Sequence, residues 1–175
     1  MPIIARGVHA MNAGRAFVAG MVGGAAMSAV MWMGRSMLGM DVNLSMMLGT
    51  MFVQPPGAVA WIVGFIMHLM ISGLIALIYA WGFEHVTHRA GWLVGVLFSL
   101  IHSIGTGLFM GMVPAMHPLI PEKMPAPGFF LANKGGMYVV MLFVLHAIYG
   151  AIVGAMYGSV EHARPMTAGE RPLHA

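Results

Sequence analysis

Residues 57–83 read GAVAWIVGFIMHLMISGLIALIYAWGF. No Asp, Glu, Lys or Arg interrupts them, so as a helix they can cross the ~30 Å hydrocarbon core of a bilayer. The strongly polar side chain near the middle is His68. Similar apolar stretches cover about 15–39, 90–113 and 134–160, and two of these also carry a central histidine, His102 and His146. The chain therefore reads as all-α, an integral membrane four-helix bundle. Polar segments flank it at residues 1–14 and 161–175.

Composition agrees. Of 175 residues 59% are hydrophobic and 7% are charged, with a mean hydropathy of +0.85. A soluble domain carries about 25% charged residues. The net charge of +3 is too small for a nucleic-acid-binding surface and suits membrane-flanking residues, so the expected partner is the lipid bilayer. There is no cysteine, which excludes disulfides and thiolate metal sites. Arg6 and Arg15 precede the first apolar run, as in a secretory signal. The run exceeds the ~7–15 apolar residues of a signal peptide and is read as a retained first helix.

The connections are unequal. Residues 40–56 hold Leu44, Met47, Leu48 and Met51 at helical spacing, predicting a short amphipathic helix in the membrane interface, capped by Asp41 or Asn43. Glu84–Arg89 is a short polar link. Pro114, Pro118, Pro121, Pro125 and Pro127 make the third connection too proline-rich for regular structure. Arg6, Arg15, Arg89, Arg164 and Arg171 fall on one side and Arg35, Lys123 and Lys134 on the other. That bias predicts both termini in the cytoplasm and a location in the cell inner (plasma) membrane.

Small residues recur every four positions along each helix. Examples are Gly20, Gly24 and Ser28 in the first, Ser72 and Ala76 in the second, Gly95 to Gly111 in the third and Gly150 to Gly158 in the fourth. Such ridges let helix backbones approach closely in lipid. The ridges also repeat. His68 is followed by Tyr79 and then Glu84-His85, and His146 by Tyr157 and then Glu161-His162. An offset of 75 pairs Gly20 with Gly95, Gly24 with Ser99 and Met27 with His102. The pattern predicts duplication of a two-helix hairpin, with a pseudo-two-fold axis along the membrane normal.

Met40-Asp41-Val42 through Met46-Met47-Leu48, Gly64 through Gly73, and His146-Ala147-Ile148-Tyr149-Gly150 through Tyr157-Gly158 resemble an uncharacterised bacterial family of small four-helix membrane proteins. The three mid-helix histidines are similar to those of the YagU-like inner-membrane proteins. The resemblance covers about residues 15–160. It implies fold and location, and it transfers no catalytic residue.

His68, His102 and His146 each lie eleven residues from the same end of their segments, Gly57, Val113 and Gly135. At 1.5 Å per residue this is roughly 16 Å, near the bilayer midplane. Neutral imidazole ligates zinc, copper and haem iron, and the thioether of Met27 adds a soft donor for copper. A buried metal site of His68, His102, His146 and Met27 is one reading, with copper or zinc as the ion. A b-type haem is a second form of it. In the plainer reading each histidine hydrogen-bonds a neighbouring helix, with Ser72, Ser99, Ser103, Thr106 or Tyr149 as partner. In a third the imidazoles relay protons. Methionines from Met33 to Met124, with His117, cluster towards the outer end and form either a soft-metal funnel or apolar filling. No set of residues points to hydrolysis or phosphoryl transfer. Metal handling, electron transfer, ion conduction and an accessory role in a larger membrane complex or homo-oligomer are the functions left open.

Overall fold

The computed structural model describes residues 11–158 and 160. Arg6, Arg164, Arg171 and the Glu161-His162 half of the repeat lie outside them. The described chain is helical: α1 Ala13–Leu38, α2 Leu44–Thr50, α3 Ala58–Gly82, α4 Trp92–Met112 and α5 Gly136–Tyr157. All but α2 are long and apolar enough to cross a membrane.

Burial is inverted relative to a water-soluble bundle. Large apolar side chains such as Ile62, Ile78, Leu97, Ile101 and Val140 point outward, while Ala16, Ala19, Ala60, Ala76 and Ala80 are fully buried. Lipid solvates the large side chains, so association depends on close packing between small ones. The backbone satisfies its own polar groups along each helix. At the helix ends Asn12 and Asn43 accept from the N–H groups of Arg15 and Met46, and Gly39 closes α1 in the left-handed region at φ 64°.

Three crossings are set by glycine. In α1·α3 a Cβ on Gly20 would lie 2.6 Å from that of Ala76, and one on Gly24 would strike Ser72. In α4·α5 the backbones of Gly95 and Gly150 abut, as do those of Gly91 and Gly154. In α2·α3 Gly49 meets the Ala60 carbonyl and Gly64 the Ser45 carbonyl. The last contact shows how α2 is held: it turns its small face, Ser45, Gly49 and Thr50, onto α3. The reason is that two facing glycines permit a backbone contact.

The first and second crossings match under the repeat: Gly20 meets the carbonyl of Ser72, and Gly95 that of Gly150. The contacts between hairpins do not match. α1 packs closely on α5, whereas α3 and α4 meet through the side chains of Tyr79, Phe98 and His102. Gly23 of α1 accepts the ring of Tyr149, and at the equivalent position α4 carries Phe98, whose ring covers Gly82 and packs on Tyr79 and Phe83.

The proline-rich connection is ordered by burial. It forms short 3-10 turns at Val113–Ala115 and Phe129–Lys134, and it buries His117, Leu119 and Ile120. Phe129 and Phe130 lie on Gly111 and Gly107, so the outer half of the α4 ridge receives this loop, not a helix.

Replacing Gly95 or Gly154 with Leu is expected to cost more than the ~1–3 kcal/mol of ordinary overpacking, because backbone and not a mobile side chain stands in the way. Ile101→Ala, at a position 74% exposed, is expected to stay within about 0.5 kcal/mol. Thermal unfolding in detergent measures both, and equal tolerance of the three would show that the ridges are not contacts.

Candidate functional site

His68 on α3 and His146 on α5 are each 7% exposed, and His102 on α4 is half-buried. Each uses Nδ1 locally. His68 Nδ1 shares a hydrogen bond with Ser28 Oγ of α1 at 3.0 Å, and His102 Nδ1 with the Tyr79 hydroxyl of α3 at 3.2 Å. His146 Nδ1–H donates to the Leu142 carbonyl one turn earlier at 2.7 Å, leaving the Nε2 lone pair free to accept. None of the five side-chain partners expected from the sequence is used. Ser99 and Ser103 instead donate to carbonyls of their own helix, Val96 and Ser99, as mid-helix serines commonly do. Ser28, on the α1 ridge at the depth of His68, was the legible signal for one true partner.

The rings of His102 and His146 stand perpendicular with centroids 4.6 Å apart. Tyr149 packs at 5.5 Å from His102 and donates to the Ser72 carbonyl across the bundle. Among the described residues no three His, Asp or Glu side chains gather into a set that could hold an ion by themselves. The geometry thus pairs His102 with His146, while His68 turns to Ser28. Helix order explains this: α4 packs on α5, and α3 packs on α1.

Met27 is buried at 6% exposure and faces a cavity of about 320 Å3 that also reaches His146. Met31, Met46, Met47, Met110 and Met124 line the same space. The outer methionine cluster divides here. Met33, Met37, Met112 and Met116 are exposed on the outside of the bundle, whereas Met46, Met47, Met110 and Met124 turn inward. Met31 was not singled out from sequence. Asp41 and Lys134 line the cavity where it meets the surface, joined by an ion pair of 2.8 Å. The Asp41 N–H donates to the Tyr138 hydroxyl at 2.9 Å.

His117 has a separate role. Its Nδ1 accepts from the Leu119 N–H at 3.1 Å, which places the proton on Nε2, and Nε2–H donates to the Met47 carbonyl at 2.8 Å. Both nitrogens are committed, and His117 pins the proline-rich loop to α2.

At the opposite end, Glu84 accepts from the Tyr157 hydroxyl at 2.6 Å, and that hydroxyl accepts from the Asn12 N–H at 3.3 Å. Arg15 Nε donates to the Met156 carbonyl at 2.6 Å, a cation at a helix C-terminus. These contacts clasp the ends of α1, α3 and α5 on one face. Fully buried Phe83 packs between the Tyr157 ring and the Tyr79 ring, and the hydrogen bonds do not continue from one tyrosine to the other.

His117→Ala is expected to cost about 1–3 kcal/mol, because the buried Leu119 N–H loses its partner. Differential scanning calorimetry measures this, and a wild-type transition would remove His117 from the loop's support. Lys134 beside Asp41 holds its carboxyl below the ordinary value of 3.8. The pair's contribution is therefore present above that value and is lost as pH falls through the lowered one. Asp41 is 78% exposed, so the effect should be roughly 0–1 kcal/mol, abolished by Asp41→Asn and reduced by salt. Unfolding curves from pH 5 down to about 2.5 read it.

No curated protein and no solved structure matches the chain. Residues 10–168, and with them every helix and histidine described above, match the family of unknown function DUF6789, and the chain belongs to that family.

Proposed function

We propose that this membrane protein holds a soft metal ion, copper(I) before zinc, at a mid-membrane centre of His102, His146 and Met27, and serves metal handling or electron transfer rather than catalysis. The observation that carries the reading is the pairing of the two rings at 4.6 Å beside a buried methionine-lined cavity. In metal sites a ligating histidine commonly hydrogen-bonds through its other nitrogen, which orients the ring. Here every Nδ1 is so engaged. Met27 completes a set that suits copper(I), since a thioether adds little for zinc. Haem b fits less well: with iron–nitrogen bonds of about 2 Å on opposite faces, two ligating rings need a wider separation than 4.6 Å. His68 remains a further candidate ligand if its ring leaves Ser28.

The same reading places the bundle in a bacterial inner membrane as a relative of the YagU-like proteins. Arg15 and Arg89 would face the cytoplasm with both termini, and Arg35, Lys123 and Lys134 the outside. A structural reading has its own support, since the three histidines are already hydrogen-bonded. It would make the protein an accessory subunit of a larger complex or of a homo-oligomer. A proton conduit is less well supported, because Phe83 interrupts the hydrogen bonds between Tyr157 and Tyr79.

Elemental analysis and a visible spectrum of the purified full chain separate these readings. Stoichiometric copper, reduced by about one ion per chain in His146→Ala and His102→Ala with the fold intact, is expected. Met27→Leu should weaken copper at least about tenfold and zinc much less. Loss of the ion in His68→Ala would add that residue to the set. A Soret band would replace the ion with haem, and copper-free protein with unaltered partners in all variants would leave the histidines structural.

A further inference from the structure

The geometry points to a second soft-ion site, outside the histidine centre: a thioether site in the cavity, built by Met46, Met47, Met110 and Met124, through which a monovalent soft ion such as copper(I) or silver(I) reaches His146. The order of the two sites rests on the copper reading above; the thioether site itself does not.

Three elements bring these methionines to one cavity, where Met47 and Met124 pack against the buried cluster that holds Met110. α2 lays its Ser45–Gly49 face on α3, which turns Met46 and Met47 the other way, over the cavity. α4 supplies Met110, and the loop supplies Met124. The loop is held by His117 on the Met47 carbonyl, and Thr50 Oγ1, which donates to the Met46 carbonyl at 2.7 Å, lies 3.8 Å from Met124 Sδ. Methionine is abundant throughout the chain, so apolar filling is the competing account. Filling predicts the chain-wide frequency, 21 in 175, yet six of the nineteen residues around the cavity are methionine. Four other methionines of the outer cluster are spent on the outer surface, so methionine also occurs where no cavity needs filling.

The donor set specifies the ligand. The cavity holds no thiolate, and its carboxylate, Asp41, is already paired with Lys134 at the surface. A hard divalent cation would need several oxygens, whereas the oxygen-bearing side chains of the lining are Asp41, Asn43 and Thr106 against six methionines, and Asn43 already accepts from the Met46 N–H. Thioethers are soft donors and suit soft monovalent ions. His146 lines the inner part of the same cavity, so an ion leaving the methionines meets imidazole nitrogen next.

Silver(I), which does not change redox state, tests this on the full chain in detergent, after gel filtration in buffer containing free methionine to strip surface thioethers. Wild type is expected to retain about two silver ions per chain. The Met46→Leu/Met47→Leu/Met110→Leu/Met124→Leu variant and the His102→Ala/His146→Ala variant should each retain about one. Leucine conserves volume and apolar character, and the two half-variants serve if the fourfold change unfolds. X-ray absorption at the silver edge of loaded wild type, which needs no variant, should show sulfur neighbours as well as nitrogen. One ion kept by the methionine variant and lost by the histidine variant would overturn the thioether site, leaving the cavity to packing or to an apolar molecule, and would spare the histidine centre. One ion lost by the methionine variant and kept by the histidine variant would do the reverse. No retained silver in wild type overturns both.

Discussion

The backbone of Gly95 rests directly on that of Gly150, and much of the structure depends on such contacts. Water drives soluble helices together by excluding apolar side chains. Lipid does not, so helices in it must gain from packing at short range. Small residues at three crossings permit that range. They also dictate which helices are neighbours, and so which polar side chains can meet. His102 reaches His146 because α4 and α5 are drawn together by glycine; His68 finds Ser28 because α3 is drawn to α1.

Buried imidazole must also find partners, since an unsatisfied polar group in hydrocarbon costs several kcal/mol. The three histidines meet this demand with Nδ1 alone. That economy links structure to the proposed chemistry. A ring oriented through one nitrogen presents the other in a defined direction, which a ligand site requires. The same bonds would suffice for a purely structural histidine, so the surroundings, Met27 and the cavity, carry the distinction.

The cavity follows from two short segments, not from the spanning helices. α2 is turned by its glycine contact with α3, and the proline-rich loop is fastened by His117. Between them they cover one end of the bundle without filling it. Phe98 fills the seam between α4 and the end of α3, packing on Gly82, Tyr79 and Phe83, while α1 and α5 form the close pair between the hairpins.

Some of this was decided by sequence alone. Four apolar runs without central charge determine four helices long and apolar enough to cross a membrane, because a helix satisfies its own backbone in lipid. The every-fourth spacing of Gly20, Gly24, Gly95, Gly150 and Gly154 determines their contact faces. Equal residue counts put the three histidines at one depth, since the rise of a helix is constant. Depth is a coordinate along the helix, and sequence supplies it; direction around the bundle depends on which helices pair, and sequence does not. Hence the splitting of the histidines into a pair and a single, the inward turn of Met46, Met47, Met110 and Met124, and the pinning role of His117 came only from the tertiary structure. Each rests on a contact between residues far apart in the chain, and on whether a small side chain such as Gly23 or a large one such as Phe98 stands at the meeting point.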